Sequence, residues 1–263
     1  VLATHRGGVR EDELRQRNVS VWHGVESSTL AEIAAWRPEV VHVHSHGLEK
    51  GHLDALFHAC PDARLVETNV FSLPSPWVRS LHVSFQLSTW CDWLYHLRGN
   101  FSWPSAIVPY PVRVEGFSRA SAEAIVDFRE LHGVERDDIL LGRVGQAYDR
   151  KWSTLLIDAF EKLWQRERRA KLLVVNPPAT IVARCRQSPC RDSVIVIDQI
   201  IGDEAMSVAY SAMDVFVHVA DQGESFGLVL TEAMLCQTPV VTFSTPWEDN
   251  AQAEVVGHEV GGL

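Results

Sequence analysis

Strongly basic charge is missing from this sequence, and that absence excludes one large class of partners. The 263 residues include 24 Lys and Arg against 34 Asp and Glu, which gives a formal net charge of −10, and the pI is near 5.6. Proteins that bind a nucleic-acid backbone need clustered Lys and Arg to displace its counterions. We therefore expect no nucleic-acid partner, and an anionic ligand would need a local basic pocket.

Cysteine is scarce and poorly spaced for a structural framework. The five cysteines are an odd number and contain no Cys-x-x-Cys pair of the kind that binds zinc. They are Cys60, Cys91, Cys185, Cys190 and Cys236. Their pattern argues against disulfides and against a metal site, and it favours a reducing, cytoplasmic setting.

Long apolar runs are also absent. No run approaches the roughly 20 residues that span a bilayer, and the first residues lack the pattern of a secretory signal peptide. Peripheral contact with a membrane surface is left open. The composition, with 46% hydrophobic and 22% charged residues, is typical of a globular, enzyme-like chain and not of a disordered or coiled-coil one.

Short apolar runs alternate with helical patterns along the chain, which indicates βαβ units and mostly parallel sheets. Strands are predicted at residues 1–4, 19–22, 40–44, 65–69, 139–144, 172–176, 194–197, 215–219 and 240–243. Helices are predicted at residues 27–36, 120–132, 153–165, 203–212 and 226–236.

The length favours two domains, and prolines at residues 104–111, including Pro109 and Pro111, predict a linker without secondary structure. We place the boundary near residue 112, so that residues 1–112 form an N-terminal domain and residues 113–263 a doubly wound one. The outer strand at the start and the final Gly-Gly-Leu suggest truncation at both ends.

The sharpest local signal lies in residues 214–234, where a predicted buried strand leads into a loop with Glu224 and then into a helix. Ser225 is placed to cap that helix. Because a helix N-terminus presents unpaired N–H groups and a positive dipole end, its amides predict a seat for a diphosphate. The residues of this seat are Ser225, Phe226, Gly227 and Leu228.

Glu232 follows Ser225 by about two helical turns and so returns to the same face of the helix. Its carboxylate would be within reach of a ribose beside the diphosphate. The alternative is that Glu224 is an ordinary loop acid and Glu232 a solvated helix charge. Apolar neighbours such as Leu230 and Ala233 argue against this alternative, since a buried, unpaired carboxylate is costly.

The segment from Glu224 to Glu232, followed by Thr-Pro-Val-Val at residues 238–241, resembles the Glu-x7-Glu motif of retaining GT-B glycosyltransferases. These are the group 1, or family 4-like, nucleotide-sugar transferases. The resemblance implies an α/β protein with two Rossmann-like doubly wound domains and a cleft between them. By the same resemblance, Glu224 would face the donor sugar and Glu232 the nucleotide ribose.

The activity that this resemblance implies is hexosyl transfer with retention and without a metal ion. The donor would be a nucleotide-diphosphate sugar, and the acceptor a sugar, a lipid or a small molecule, with no cofactor besides the donor. The family also implies that backbone groups near Gln199 and Ile200 contact the base. It favours substitution on one face of the sugar, in which the leaving diphosphate takes the acceptor's proton.

A second group of residues, 141–152, runs from a strand end through Gly145 to basic side chains. A cation here would stabilise charge on a leaving diphosphate from the side opposite the helix. The family has an Arg and a Lys in this loop. Lys151 fits the Lys, but alignment on Gly145 puts Gln146 at the Arg position, whereas a longer spacing offers Arg143. The alternative for Arg143 is a purely structural contact.

In the first domain, His42, His44 and His46 follow one another at alternate positions near the carboxyl end of a strand, where open α/β sheets bind ligands. A metal site is one interpretation. We favour an acceptor-side role for His44 and His46. The histidine that the family carries after the next strand is absent, and Asn69 or Ser72 would supply a hydrogen bond there.

Three other functions remain open at this point. A nucleotide-sugar epimerase or a phosphorylase would share the GT-B layout. A nicotinamide-dependent dehydrogenase is disfavoured because no Gly-x-Gly-x-x-Gly follows a first strand. A degenerate, non-catalytic binding subunit is suggested by Gln146 and by the absent histidine.

Overall fold

The computed structural model describes residues 2–3, 9–45, 50–75, 80–99 and 103–257. The chain divides into two compact units, Val1–Gln86 with Asp92–Val108 and Leu87–Cys91 with Pro109–Leu263. The second unit therefore takes in Leu87–Cys91, although these residues precede the boundary predicted near residue 112.

The first unit contains a four-stranded parallel sheet in the order β3-β4-β5-β6 and a separate parallel pair, β1-β2. Its strands are β1 Leu2–Ala3, β2 Trp22–His23, β3 Val40–Ser45, β4 Arg64–Asn69, β5 Leu81–Gln86 and β6 Ser105–Ile107. Its helices are α1 Val9–Gln16, α2 Ser27–Trp36 and α3 Lys50–Ala59, and α4 Thr89–Leu97 begins with residues of the second unit.

The prediction that residues 104–111 form only a linker is wrong, because Ser105–Ile107 forms β6 and pairs with β5. The prolines do not interrupt this pairing. Pro104 lies just before the strand and contributes only its carbonyl, which accepts a hydrogen bond from Ser84 N at 3.0 Å. Pro109 and Pro111 follow the strand, so the hydrogen bonds between β5 and β6 do not require the N–H groups that these prolines lack.

The second unit is built on a five-stranded parallel sheet in the order β11-β10-β7-β8-β9. Its strands are β7 Ile139–Val144, β8 Ala170–Val175, β9 Val194–Ile197, β10 Val215–His218 and β11 Val240–Thr242. Its helices are α5 Ala122–Leu131, α6 Leu155–Arg166, α7 Ala179–Gln187, α8 Asp203–Ala212, α9 Leu228–Leu235 and α10 Ala251–Val256. Short 3₁₀ turns lie at Val114–Gly116, Asp149–Lys151 and Arg191–Ser193.

This strand order creates a switch point between β7 and β10. The chain adds β8 and β9 on one side of β7 and then returns to add β10 and β11 on the other side. In open α/β sheets, ligands bind outside the carboxyl ends of the strands at such a point. We therefore expect a ligand-binding site at the loops that follow β7 and β10.

The centre of the sheet is buried on both faces. Leu172 and Val174 of β8 pack into one apolar cluster with α6 and α7, while Leu173 and Val175 pack into another with α8 and α9. Such a continuous apolar run is expected of a parallel strand covered by helices on both sides. Within the described ranges, no helix has both the length and the apolar character that a membrane crossing needs.

Candidate active site

The loop between β10 and α9 passes twice through the left-handed region of backbone conformation. Gly223 has a φ of 64° and Gly227 a φ of 89°, conformations that glycine adopts at little cost. A Cβ on Gly223 would lie 1.7 Å from the backbone oxygen of Asp249. Glycine is thus required at this position both by conformation and by space.

The start of α9 differs from the prediction. The helix begins at Leu228, and its N-cap residue is Gly227, with no side-chain cap. The expectation that Ser225 caps this helix is wrong, because the left-handed turn at Gly227 separates Ser225 from the first helical turn. Ser225 is buried, and its carbonyl accepts a hydrogen bond from the Cys91 thiol at 3.2 Å. Phe226 is also buried and packs edge-on against Tyr110.

The backbone of Glu224 is fixed by the segment that follows β11. Its N–H donates to Oε1 of Gln252 at 2.9 Å, and its carbonyl accepts from the N–H of Ala251 at 2.8 Å. Gln252 is fully buried and its amide nitrogen donates in turn to the carbonyl of Phe243 and the hydroxyl of Thr245. The loop position of Glu224 is therefore set by hydrogen bonds to a neighbouring element.

The Glu224 side chain lies between two nitrogen groups. Lys151 Nζ is 2.7 Å from Oε2, and His218 Nε2 is 3.1 Å from Oε1, while Glu224 itself is only 8% exposed. Burial by itself raises the pKa of this carboxyl. The hydrogen bond from His218 and the charge of Lys151 outweigh that effect and lower the pKa to about 2. Glu224 is therefore ionised at neutral pH.

His218, the last residue of β10, is 1% exposed. Its Nδ1 lies 3.3 Å from the hydroxyl of Thr242. Burial lowers the pKa of His218 to about 4, with a further contribution from the charge of Arg143. The imidazole is therefore neutral at neutral pH. Sequence reasoning missed this residue, and the available signal was a histidine ending the otherwise apolar strand Val215–His218.

Arg143 of β7 is fully buried and bonds to backbone. Its Nη2 donates to the carbonyl of Lys151 at 2.8 Å and its Nη1 to the carbonyl of Val144. The guanidinium also lies 5.1 Å from the ring centroid of Trp152. Burial lowers the pKa of Arg143 to about 10, which leaves it cationic at neutral pH. The side chain is used in holding the loop that carries Lys151.

Gly145 and Gln146 form the turn after β7. The carbonyl of Gly145 accepts a bond from the Asn176 amide at 3.0 Å, and the carbonyl of Gln146 accepts one from the Trp152 indole at 2.8 Å. The Gln146 side chain is exposed. The backbone of this turn is therefore bonded within the protein, while the Gln146 side chain, one of the two candidates for the family's Arg position, faces solvent.

Glu232, the second carboxylate of the motif, is half-buried on α9. Its Oε2 accepts a hydrogen bond from the hydroxyl of Tyr210 at 2.9 Å, and burial raises the pKa of this carboxyl. Tyr210 is fully buried on α8. Gln199 and Ile200 lie in the loop between β9 and α8, also at the carboxyl end of the sheet.

In the first unit, the rings of His42 and His44 stack with centroids 4.7 Å apart. His42 Nε2 lies 2.8 Å from the hydroxyl of Thr68, whereas His46 falls outside the described residues. Asn69 is buried and its amide donates to the carbonyl of Leu73 at 2.7 Å. Among the described residues, no group of three His, Cys, Asp or Glu could hold a metal ion.

Comparison with known proteins finds similar glycosyltransferases. Residues 138–263 match the family model described as "Glycosyl transferases group 1". These residues, just under half of the chain, are similar to the group 1 glycosyltransferases. The curated "Uncharacterized glycosyltransferase MJ1607" of Methanocaldococcus jannaschii is 31% identical over 146 residues, which are 54% of this chain. The match spans 36% of that relative's length.

Solved structures resemble the chain over almost all of its length. The UDP-glucose complex of Anabaena Alr3699/HepE has a TM-score of 0.77 at 17% identity, covering 98% of this chain and 75% of that one. A glycosyltransferase from Rickettsia africae has a TM-score of 0.76 at 13% identity, covering 100% and 74%. At such identities the likeness concerns the fold, and it confirms the predicted α/β fold of the GT-B class.

Proposed function

We propose that this chain is a group 1 glycosyltransferase and that it transfers a sugar from a nucleoside-diphosphate sugar with retention and without a metal ion. The observation that carries the proposal is the ionised Glu224, held by Lys151 and His218 in the loop after β10. This loop follows one of the two strands at the switch point of a parallel sheet, where such sheets bind nucleotides.

Different residues of the second unit would bind the diphosphate, the ribose and the base of the donor. The N–H groups at the start of α9, after Gly227, would receive the diphosphate together with the Lys151 ammonium. Glu232 would bind the ribose hydroxyls, and the loop containing Gln199 and Ile200 would contact the base. The complex of Alr3699/HepE with UDP-glucose makes UDP-glucose the first donor to test.

Transfer would proceed on one face of the donor sugar. The acceptor oxygen forms its bond to the anomeric carbon on the side from which the diphosphate oxygen leaves, and that leaving oxygen takes the acceptor's proton. Lys151 stabilises the charge that grows on the diphosphate, while Glu224 orients the sugar hydroxyls. Double displacement would instead need a second carboxyl group about 5 Å from the nucleophile, and the side chains bonded to Glu224 are a lysine and a histidine.

In this proposal Arg143 positions the loop that carries Lys151 and does not bind the donor, since its guanidinium donates to the carbonyls of Val144 and Lys151. The acceptor side is proposed to include His44, His46 and Asn69. A sugar, a lipid or a small molecule as acceptor remains a prediction from the sequence. Location in the cytoplasm and peripheral membrane contact remain predictions as well.

The nucleotide-binding part is tested by titrating UDP and UDP-glucose against the wild type and Glu232→Ala. Loss of a hydrogen-bonding carboxylate should weaken binding about tenfold or more, and bound nucleotide should raise the melting temperature by mass action. Glu123→Ala, on the exposed surface of α5, is the matched control. Unchanged nucleotide affinity in Glu232→Ala would contradict the role assigned to this residue.

Activity is tested with labelled UDP-glucose and a set of sugar and lipid acceptors. The expected products are UDP and a glycoside with the anomeric configuration of the donor. An epimerised donor or a sugar 1-phosphate would instead indicate an epimerase or a phosphorylase. Nucleotide binding without turnover of any donor would indicate a non-catalytic subunit.

A further inference from the structure

We propose that His218 is a positioning residue that holds the Glu224 carboxylate through a neutral imidazole with its proton fixed on Nε2. The effect on turnover rests on the proposed transfer reaction, whereas the protonation state of the imidazole does not. No feature of the Glu-x7-Glu motif includes this position, which lies six residues before Glu224 on β10.

The two hydrogen bonds of the imidazole determine where its proton lies. An ionised carboxylate can only accept, so the 3.1 Å contact with Glu224 Oε1 requires an N–H on Nε2 of His218. A neutral imidazole then has a lone pair on Nδ1, and the hydroxyl of Thr242 donates to it across 3.3 Å. In this series of hydrogen bonds, Thr242 donates to His218 and His218 donates to Glu224.

The sheet makes this arrangement rigid. His218 and Thr242 are paired in the register of the parallel strands β10 and β11, so their side chains lie on the same face. Both strands belong to the five-stranded sheet, and the imidazole is almost completely buried. The hydrogen bond from His218 thus fixes the position of the Glu224 carboxylate relative to the sheet, although Glu224 itself lies in a loop.

The charged groups that influence the imidazole come from three elements. Glu224 in the loop after β10 favours the imidazolium, whereas Arg143 of β7 and Lys151 of the 3₁₀ turn disfavour it. The cations and burial together outweigh the carboxylate. A cationic imidazole is therefore excluded at neutral pH, and the hydrogen bond to Glu224 is that of a neutral donor.

This bond becomes more important once a donor is present. In the structure, Glu224 shares its two oxygens between Lys151 and His218. When a diphosphate draws the Lys151 ammonium toward itself, the ion pair with Glu224 weakens. The His218 bond is then the remaining fixed contact, and it keeps the carboxylate directed at the donor sugar while charge develops on the leaving group.

The direct test is nitrogen NMR of histidine-labelled full-length chain at pH 7, with His218 assigned by comparison with His218→Gln. The expected signature is a neutral ring with a protonated Nε2 and an unprotonated Nδ1. A proton on Nδ1 of a neutral ring, or an imidazolium, would overturn the proposal. This measurement needs no substrate, so it decides the point whether or not the chain transfers sugar.

The kinetic test compares His218→Gln with His218→Leu in hydrolysis of UDP-glucose. The amide nitrogen of Gln can donate from nearly the place of Nε2, whereas Leu cannot donate. Loss of a hydrogen bond to a charged group predicts about a 10- to 100-fold lower kcat in His218→Leu, with the UDP dissociation constant changed less than about threefold. His218→Gln should retain activity to within about fivefold.

Equal losses in the two variants, or no loss in either, would contradict a positioning role. If His218→Leu does not fold, the Gln variant and the NMR signature still decide the question. A wild type that binds UDP-glucose but neither transfers nor hydrolyses it would refute the proposed function instead, and it would leave the NMR result on His218 valid.

Discussion

The ammonium of Lys151 lies 2.7 Å from the carboxylate of Glu224, with side chains that are 14% and 11% exposed, respectively. An ion pair this far from water contributes little net stability, because desolvation offsets most of the attraction between the charges. The presence of this ion pair is better explained by a role in ligand binding. In the proposed donor site, Lys151 would keep Glu224 from repelling an anionic donor, and Glu224 would hold Lys151 beside the diphosphate.

Replacing Lys151 with Ala should raise the pKa of the Glu224 carboxyl and weaken binding of UDP-glucose by about 10- to 100-fold. The reason is that the variant removes a charge-assisted bond to the diphosphate and leaves a buried negative charge with only the His218 bond. Calorimetric titration at pH 7 measures the change. Lys162→Ala, on the exposed face of α6, is the control, and equal affinities in the two variants would disprove the assignment.

Elements with a regular apolar pattern were predictable from the sequence. β7, β9 and α8 have the same bounds in the structure as in the prediction. Their apolar patterns are local in the sequence, so these elements can be recognised without knowledge of the rest of the fold. The Glu-x7-Glu spacing was visible for a similar reason, since two acids in an apolar segment conflict with ordinary packing.

The strand β5 and the helix α4 are among the elements that were not predicted. β5 was missed because Ser84 and Gln86 look like solvent-facing residues, yet both are fully buried. Ser84 donates to Glu67 at 3.0 Å and Gln86 donates to Ser84 at 2.9 Å. The bond from Ser84 joins β5 to β4 and the bond from Gln86 lies within β5. The partner on β4 cannot be identified from the local sequence. α4 was missed too, and its first turn is bonded by the carboxylate of Glu254, which lies far away in sequence.

The details of the site depended on tertiary contacts in the same way. Arg143 was an open choice between donor contact and structural contact, and only the fold shows its bonds to loop carbonyls. α9 begins at Leu228 and not at the predicted Phe226, because Gly227 adopts a left-handed conformation. The environment of His218 also needed the fold, since Thr242 comes from the paired strand β11 and lies 24 residues away in sequence.

Gly223→Ala should be far more harmful than Gly133→Ala. The two glycines have nearly equal φ values of 64° and 66°, so both variants incur the strain of an L-residue in the left-handed region, about 1–2 kcal/mol. Only at Gly223 would the new Cβ meet backbone, 1.7 Å from Asp249 O, while nothing lies within 4 Å at Gly133. Gly223→Ala must therefore shift the Glu224 loop.

Chemical denaturation and UDP-glucose titration of the two glycine variants measure this difference. Gly133→Ala should lose about 1 kcal/mol of unfolding free energy and keep its donor affinity. Gly223→Ala should lose more stability and bind the donor much more weakly. Equal behaviour of the two variants would show that the loop tolerates displacement from Asp249.

Arg143→Met should lower the free energy of unfolding by about 3 kcal/mol. The variant leaves the carbonyls of Val144 and Lys151 without their guanidinium donor in a buried setting, and each such loss costs about 1–3 kcal/mol. Arg136→Met, at an exposed position, should change stability by less than about 0.5 kcal/mol. A variant that keeps full stability but loses donor affinity would instead identify Arg143 as a direct ligand of the donor.

Acid should destabilise the second unit in two successive windows. His218 has a pKa of about 4 against an ordinary value of 6.5, so the unfolded chain binds more protons as the pH falls from about 6.5 to 4, and stability decreases there. Glu224 has a pKa of about 2 against 4.5. Its stabilising contribution is complete above about pH 4.5 and is lost as the pH falls through about 2.

The first window can be isolated with His218→Gln, which cannot titrate. Between pH 7 and 4.5 the wild type should lose unfolding free energy relative to the variant, on the order of 2–3 kcal/mol for a shift of this size. Denaturation curves of both proteins at several pH values give the difference, in which the other histidines cancel. Parallel pH profiles would mean that His218 titrates normally in the folded chain, and the neutral donor to Glu224 would then be lost near pH 6.5.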